Sequence, residues 1–518
     1  MFKDLDKIKS KSKFNIDLCI VGAGPAGLSI AHKFINANYS VLVIESGGEN
    51  PEVEYQELNS GSNSGERFLD VKNSRLRCFG GASRLWAGVC RPYSIDDFEE
   101  KSFVKYSGWP INYNDIQKYY KEAAKMLGVD YQLFYTNKWN EIFDKGKLFS
   151  KFKRKSSLLT ANIFQKSSPD KRNFNTQFRE IFRISENVTV LHHATVVSIE
   201  RNSSGAAVEK INVKSLKGNA AEIIAKKYIL ATGALENPRL LLTNGEIGNH
   251  SGFVGKCFMS HPGFPETAAF FHSSAGECFH SSKDISENAN LLFEANHSQR
   301  TTNKILRHTI SFVESSIKRE LSVFKKDPGL LFNISALKQV FDNLDFWAGI
   351  KSFACDFGNK SSISKLWKIS VGVEQIPDKN NKVTLTNDVD ELGVRKLDIC
   401  WNPISKIEES TIQEATRIFG MEAGATGSGM IKISDKLQNG TLFKREDAIN
   451  HHIGTTRMSD NPDFGVVDNN CKVHNVSNLF IAGSSVFPTS SCVNPTFTII
   501  AMSLRLADYI KNSFGSNS

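Results

Sequence analysis

The sequence predicts an α/β protein, α+β overall, in which an open parallel sheet is assembled from discontinuous segments. A second domain, with a sheet and helices of its own, is inserted between them. Three observations predict this. An apolar strand near the N-terminus runs straight into a glycine-rich turn and a helix. Short strands return between 191 and 242 and again in the last 70 residues. Finally, 518 residues are too many for one simple core.

The elements follow in order. Ile16 to Val21 is apolar apart from Asp17, as expected of a strand buried on both faces. Gly22-Ala-Gly24-Pro-Ala26-Gly27 follows at once. A helix then carries Leu28, Ile30, Ala31 and Phe34, a turn falls at Asn36-Ala-Asn38, and a second apolar strand, 41–44, ends on Glu45. This is a complete βαβ unit of Rossmann type. Residues 101–190 are rich in Lys, Tyr and Phe, with helical stretches such as 115–127. Strands between 191 and 242 end in Lys227-Tyr-Ile-Leu-Ala-Thr-Gly233, and an irregular region from about 265 to 440 holds strand-like pieces at 369–373 and 382–385. The expected division is a nucleotide-binding domain at 1–100, 191–265 and 445–518, with an inserted domain at 101–190 and 266–444.

Bulk properties exclude several classes. A net charge of +9 is mild for this length, and no basic stripe is interleaved with aromatics, so nucleic acid is not an expected partner. Nine cysteines are scattered, odd in number and without a CxxC pair, which speaks against a disulfide framework or a metal site. The N-terminus lacks an apolar signal region and no run of 18 apolar residues occurs, so no membrane span is expected and a cytoplasmic protein is.

The glycines of the first turn permit close approach of a pyrophosphate to a helix N-terminus, whose free N–H groups favour anions. Glu45 lies 23 residues beyond Gly22, where its carboxylate can accept from an adenosine ribose 2′-OH and repel a 2′-phosphate. The turn alone does not separate FAD from NAD. Ala231-Thr-Gly233 and Leu479-Phe-Ile-Ala-Gly483-Ser484 do, because they are similar to the turn and the C-terminal strand of FAD-binding flavoproteins. No second GxGxxG is present for a pyridine nucleotide. The expected cofactor is FAD, held by Gly22, Gly24, Ala26, Gly27, Glu45, Gly80, Gly81, Ser83, Trp86, Val197, Ala231, Gly233, Gly483, Ser484, Pro495 and Thr496.

These segments and others resemble the glucose–methanol–choline (GMC) oxidoreductases over nearly the whole chain. Ala231-Thr-Gly-Ala-Leu-Glu-Asn-Pro-Arg-Leu-Leu-Leu242 is similar to the family's second signature. Val254-Gly-Lys-Cys-Phe-Met-Ser-His-Pro262 is similar to its "DHP" segment, with Ser260 in place of the acid. His451-His-Ile-Gly-Thr-Thr-Arg-Met458, Gly465-Val-Val-Asp468 and Asn494-Pro-Thr496 resemble the C-terminal catalytic stretch. Gly80-Gly-Ala-Ser-Arg-Leu-Trp86, Gly108-Trp-Pro-Ile-Asn-Tyr113, Tyr119-Tyr120 and Glu374-Gln-Ile-Pro377 resemble most the sugar-oxidising branch of pyranose oxidases and glucoside and fructose dehydrogenases. Pyranose oxidases attach flavin through a histidine where this chain has Leu85, so non-covalent FAD is expected.

Oxidising an alcohol needs a base for the hydroxyl proton, a donor for the oxygen and an acceptor for the hydride. His451 suits the base, since neutral imidazole accepts a proton near neutral pH. Asn494 suits the donor, and the resemblance implies that the pair faces flavin N5. His452 is the competing histidine; in extended chain it faces away from His451. His261 is read as structural or as a support, and Gln375 as a candidate contact to a sugar hydroxyl. The expected activity is oxidation of a small-molecule alcohol, a secondary hydroxyl of a sugar, glycoside, nucleoside or polyol. The alternatives are a hydrophobic or sterol-like alcohol, and a flavin-binding electron relay without alcohol chemistry. No metal is expected, and neither the electron acceptor (oxygen or a redox carrier) nor the oligomeric state is legible.

Overall fold

A computed structural model describes residues 1–135, 158–272, 289–314, 366–426, 429–444 and 450–515. Among these, the first sheet has eight strands. Phe2–Asp4, Val188–His192, Val41–Ile44, Ser12–Val21 and Ala220–Leu230 lie side by side in parallel. Leu479–Ile481 also pairs in parallel with Ala220–Leu230, while Val208–Lys214 and Thr195–Arg201 extend the sheet antiparallel. Leu18 to Val21 and Val41 to Ile44 are each at most 4 % exposed, which is why they read as unbroken apolar runs rather than as alternation. Each such side chain contributes about 1.5–3 kcal/mol by leaving water. Three stretches far apart in sequence thus become adjacent strands, and the turns at their carboxyl ends converge.

Helix Thr496–Gly515 packs against both Pro25–Lys33 and Tyr113–Leu127. The apolar positions Phe497, Ile500, Ala501, Leu504, Ala507 and Ile510 are fully buried. Tyr113–Leu127 starts on an Asn112/Asp115 capping box and stops at Gly128, whose φ of 64° suits a residue without Cβ.

The second sheet has seven described strands, all antiparallel, in the order Gly429–Ile433, Gly263–His272, Leu366–Val373, His308–Glu314, Ala289–Ala295, Leu159–Lys166 and Val89–Cys90. One face is apolar: Trp367, Ile369, Val371 and Val373 alternate with half-buried neighbours. Helix Lys406–Ala425 covers that face through Ile412, Ala415 and Phe419, whose ring meets Phe270 and Phe312 at 5.4 and 5.2 Å. A small sheet, Lys382–Val389, Arg395–Cys400 and Gly61–Asn63, joins the layers.

The layers interleave along the chain. Val188–His192 lies inside the first sheet, and Val89–Cys90 pairs with Leu159–Lys166 of the second. The division drawn at residue 445 lies outside the described residues. Among those described, no helix is long and apolar enough to cross a membrane.

Candidate active site

A cavity of about 560 Å³ opens at the carboxyl ends of the parallel strands, where α/β sheets bind ligands. Gly22, Gly24, Ala26 and Glu45 form one part of its wall, Ala231, Gly233, Gly483 and Ser484 another, and Gly81, Ser83, Trp86, Pro495 and Thr496 a third. Gly24 caps helix Pro25–Lys33 without a side-chain hydrogen bond, so the first N–H groups are free to meet an anion. An ideal Cβ on Gly24, Gly233 or Gly483 would meet no other atom within 4 Å. At Gly24, which lines the cavity, the space is left for something other than protein. Glu45 is 6 % exposed. Its carboxylate accepts from the backbone N–H of Ala23 and Gly47, both at 3.0 Å, and burial pushes its pKa up against that pull. Each oxygen keeps a lone pair for a ribose hydroxyl. The residues present therefore fit the adenosine and pyrophosphate of FAD.

At the other end stand His451, His452 and Asn494. Nε2 of His451 lies 3.3 Å from Nδ2 of Asn494, and its Nδ1 lies 2.7 Å from Nδ1 of His261. Ile453 pairs with Met259 by a backbone bridge, which sets His451 opposite His261. Burial, with the neighbouring imidazoles of His261 and His452, pushes the His451 pKa well below the usual value, so the ring is neutral. A neutral imidazole beside an amide donor can take a proton from a hydroxyl while the amide holds its oxygen.

Four expected residues stand elsewhere. Gly27 lies behind the turn, where a Cβ would meet the Gly22 carbonyl oxygen at 2.0 Å, so its role is helix–strand packing. Gly80, at φ 92°, is packed against Asn175, and Val196 rather than Val197 lines the cavity. Gln375 is 1 % exposed, and its side-chain oxygen accepts from Ser260 N–H at 2.8 Å and Trp401 Nε1–H at 3.3 Å. It is a tie between loops, not a residue of the cavity wall. The Ser83 hydroxyl is likewise engaged, donating to the Gly80 carbonyl and accepting from Phe174 N–H.

Sequence reasoning missed an ionic group at the cavity wall. Arg75 and Arg77 share Glu236 at 2.9 and 3.1 Å, and Arg239 joins Glu236 to Asp390. Glu236 is held near 2 by these guanidiniums despite its burial. Arg75 Nη1 is buried without a protein partner among the described residues. The signal was the Arg75-x-Arg77 pair just ahead of Gly80-Gly81. His452 was expected to face away, yet both histidines reach the cavity: His451 turns to Asn494, His452 toward Phe258, and His452 Nε2 is buried without a protein partner. The segment is irregular rather than a strand, so strict alternation does not apply.

The fold and this cavity define a flavoprotein of the oxidoreductase class. Residues 377–503 match the GMC oxidoreductase family model, and residues 16–264 match that of pyridine nucleotide-disulphide oxidoreductases. The fructose dehydrogenase large subunit of Gluconobacter japonicus is 21% identical over 97% of this chain and 99% of its own length. The 2-methyl-1,2-propanediol dehydrogenase of Mycolicibacterium austroafricanum is 23% identical over 96% of this chain and 95% of its own. Among solved structures, formate oxidase of Aspergillus oryzae superposes with a TM-score of 0.59 at 18% identity, covering 98% of this chain and all of that one. Residues 377–503 thus carry a GMC oxidoreductase C-terminal domain, and the chain is an FAD-dependent oxidoreductase acting on CH–OH groups of alcohol or sugar-type substrates.

Proposed function

We propose that the enzyme oxidises a secondary hydroxyl of a sugar, glycoside, nucleoside or similar polyol to a ketone, with His451 as general base and Asn494 as donor to the reacting oxygen. The observation that carries this reading is the 3.3 Å pairing of His451 Nε2 with Asn494 Nδ2 in the wall of the cavity that also holds the glycine turn. When bound, FAD supplies the acceptor for the hydride. A hydroxyl set between the two side chains gives its proton to Nε2, and its oxygen keeps the hydrogen bond from Nδ2 as the carbonyl forms. The weak basicity of His451 keeps it neutral and ready at physiological pH. The imidazolium that forms is offset by the negative charge developing on the adjacent oxygen. Relatives named for fructose and for a 1,2-propanediol support a hydroxyl-rich substrate. Leu85 offers no nucleophilic atom at the cavity wall, which supports dissociable FAD.

The test is anaerobic addition of sugars, glycosides, nucleosides, polyols and a sterol to the purified holoenzyme, following the oxidised-flavin band. Bleaching by a polyhydroxylated compound is expected. Bleaching by the sterol alone would overturn the substrate class.

A further inference from the structure

We infer that His261 sets the tautomer of His451, so that the nitrogen facing the reacting hydroxyl is the one with a free lone pair, and that Gln375 holds His261 in that position. This rests on the reading of His451 as the base.

The direction of the hydrogen-bond chain is fixed at its far end. The Ser490 carbonyl can only accept. It receives Tyr93 Oη–H at 2.6 Å and His261 Nε2 at 2.9 Å, which occupies both lone pairs. His261 Nε2 therefore carries hydrogen. A neutral imidazole carries one hydrogen, so His261 Nδ1 is bare; burial, which pushes this ring down to about 4, keeps it neutral. His451 Nδ1, at 2.7 Å, must then be the donor of the imidazole pair. With its single hydrogen on Nδ1, His451 presents a lone pair at Nε2, and Asn494 Nδ2–H points at that lone pair. Every donor in the series from Asn494 through His451 and His261 to Ser490 then meets one acceptor. The reverse polarity would require a hydrogen on a carbonyl oxygen.

Gln375 closes the frame. Its backbone N–H donates to Ser490 Oγ at 3.0 Å, and Ser490 Oγ lies 3.1 Å from the Gln375 carbonyl. Its side-chain oxygen accepts from the N–H of Ser260, the residue before His261. One buried residue thus ties Ser490, through its backbone, to the segment that bears His261, through its side chain. His261 and Gln375 are positioning residues: both act through His451.

The test uses holoenzyme labelled with ¹⁵N at histidine, with His451 resonances assigned by their loss in His451→Asn. In the wild type, His451 Nδ1 is expected to be protonated and Nε2 unprotonated. His261→Leu, which has no acceptor, should move hydrogen onto Nε2, and His261→Gln, whose carboxamide offers an acceptor and a donor, should restore the native pattern. Anaerobic flavin reduction by the sugar that bleaches the flavin most rapidly should fall about 10²–10⁴-fold in His261→Leu at unchanged FAD content. That scale follows the ~10⁴-fold loss that a wrong histidine tautomer causes in a serine–histidine–aspartate triad. His261→Gln should recover at least part of it. A hydrogen on His451 Nε2 in the wild type, or no redistribution in His261→Leu, overturns the inference. Should His261→Leu fail to fold, the wild-type and His261→Gln spectra still decide. Failure of the base reading shows separately, as unimpaired flavin reduction in His451→Ala.

Discussion

With His451 Nε2 proposed as the atom that takes the substrate proton, His451→Ala should slow anaerobic flavin reduction by about 10²–10⁴-fold, the usual contribution of a positioned base. Asn494→Ala leaves the base in place and removes the donor, for an expected loss on the order of 10²–10³-fold in the same measurement. His452→Ala should be the milder change at this step, because its ring turns toward Phe258; a larger effect than at His451 would reassign the base. His451 was legible because His-x-x-Gly-Thr and a distant Asn-Pro-Thr occur together. The contact between His261 and His451 was not. It spans 190 positions and depends on a backbone bridge that no local spacing encodes. Gln375 was misread for a related reason: a polar residue just past a strand can face solvent, ligand or a neighbouring loop, and only packing decides.

Among the elements, the first βαβ unit was the most legible, since strand, turn and helix are neighbours in sequence and each announces its period. Its strand nevertheless begins at Ser12 rather than Ile16. The added residues are half-buried or exposed, and lie on the strand only because Ala220–Leu230 pairs with them. Two glycines of this unit give a paired prediction. Gly27→Ala sets a methyl group 2.0 Å from the Gly22 carbonyl oxygen, so helix and strand must part, and thermal unfolding should come at lower temperature even without cofactor. Gly24→Ala meets no protein atom and has an ordinary φ of −86°, so the apoprotein should melt as the wild type does. Its methyl group enters the cavity, and the ratio of flavin to protein absorbance should fall. The helix after Asn494 was also readable, from a proline near its start and an apolar stripe that is fully buried.

Taken whole, the molecule keeps several histidines buried and neutral. Burial holds His192, His261 and His308 near 4 and His452 near 3. In the unfolded chain each would titrate near ~6.5. Between those values the unfolded state binds more protons, so stability is lost as pH falls from about 6.5 toward 4, on the order of 3 kcal/mol for a group shifted by ~2.5 units. His193, raised by Asp4 and Glu52, changes its contribution only above about 6.5. Burial raises Glu408 to about 7 and lifts Glu45, so these two carboxyls oppose the loss within the window but are outnumbered by the histidines. The midpoint of urea unfolding should therefore drop steeply across that window; a flat midpoint would contradict the buried neutral rings. The two sheets were foreseen in kind, while their interleaving was not, because strand order is set by long-range pairing.

The parallel sheet that places Ala220–Leu230 between the strand of the glycine turn and Leu479–Ile481 has a consequence for biosynthesis. Gly24 leaves the ribosome 470 residues before Asn494. At about 5–20 residues per second, that is roughly half a minute or more. Over that interval the walls of the flavin site emerge piecemeal, and Pro495 and Thr496 complete the last of them only at its end. A complete site for the coenzyme thus exists only after Thr496 has been made, so its supply can influence how many such chains mature rather than how the first strands fold.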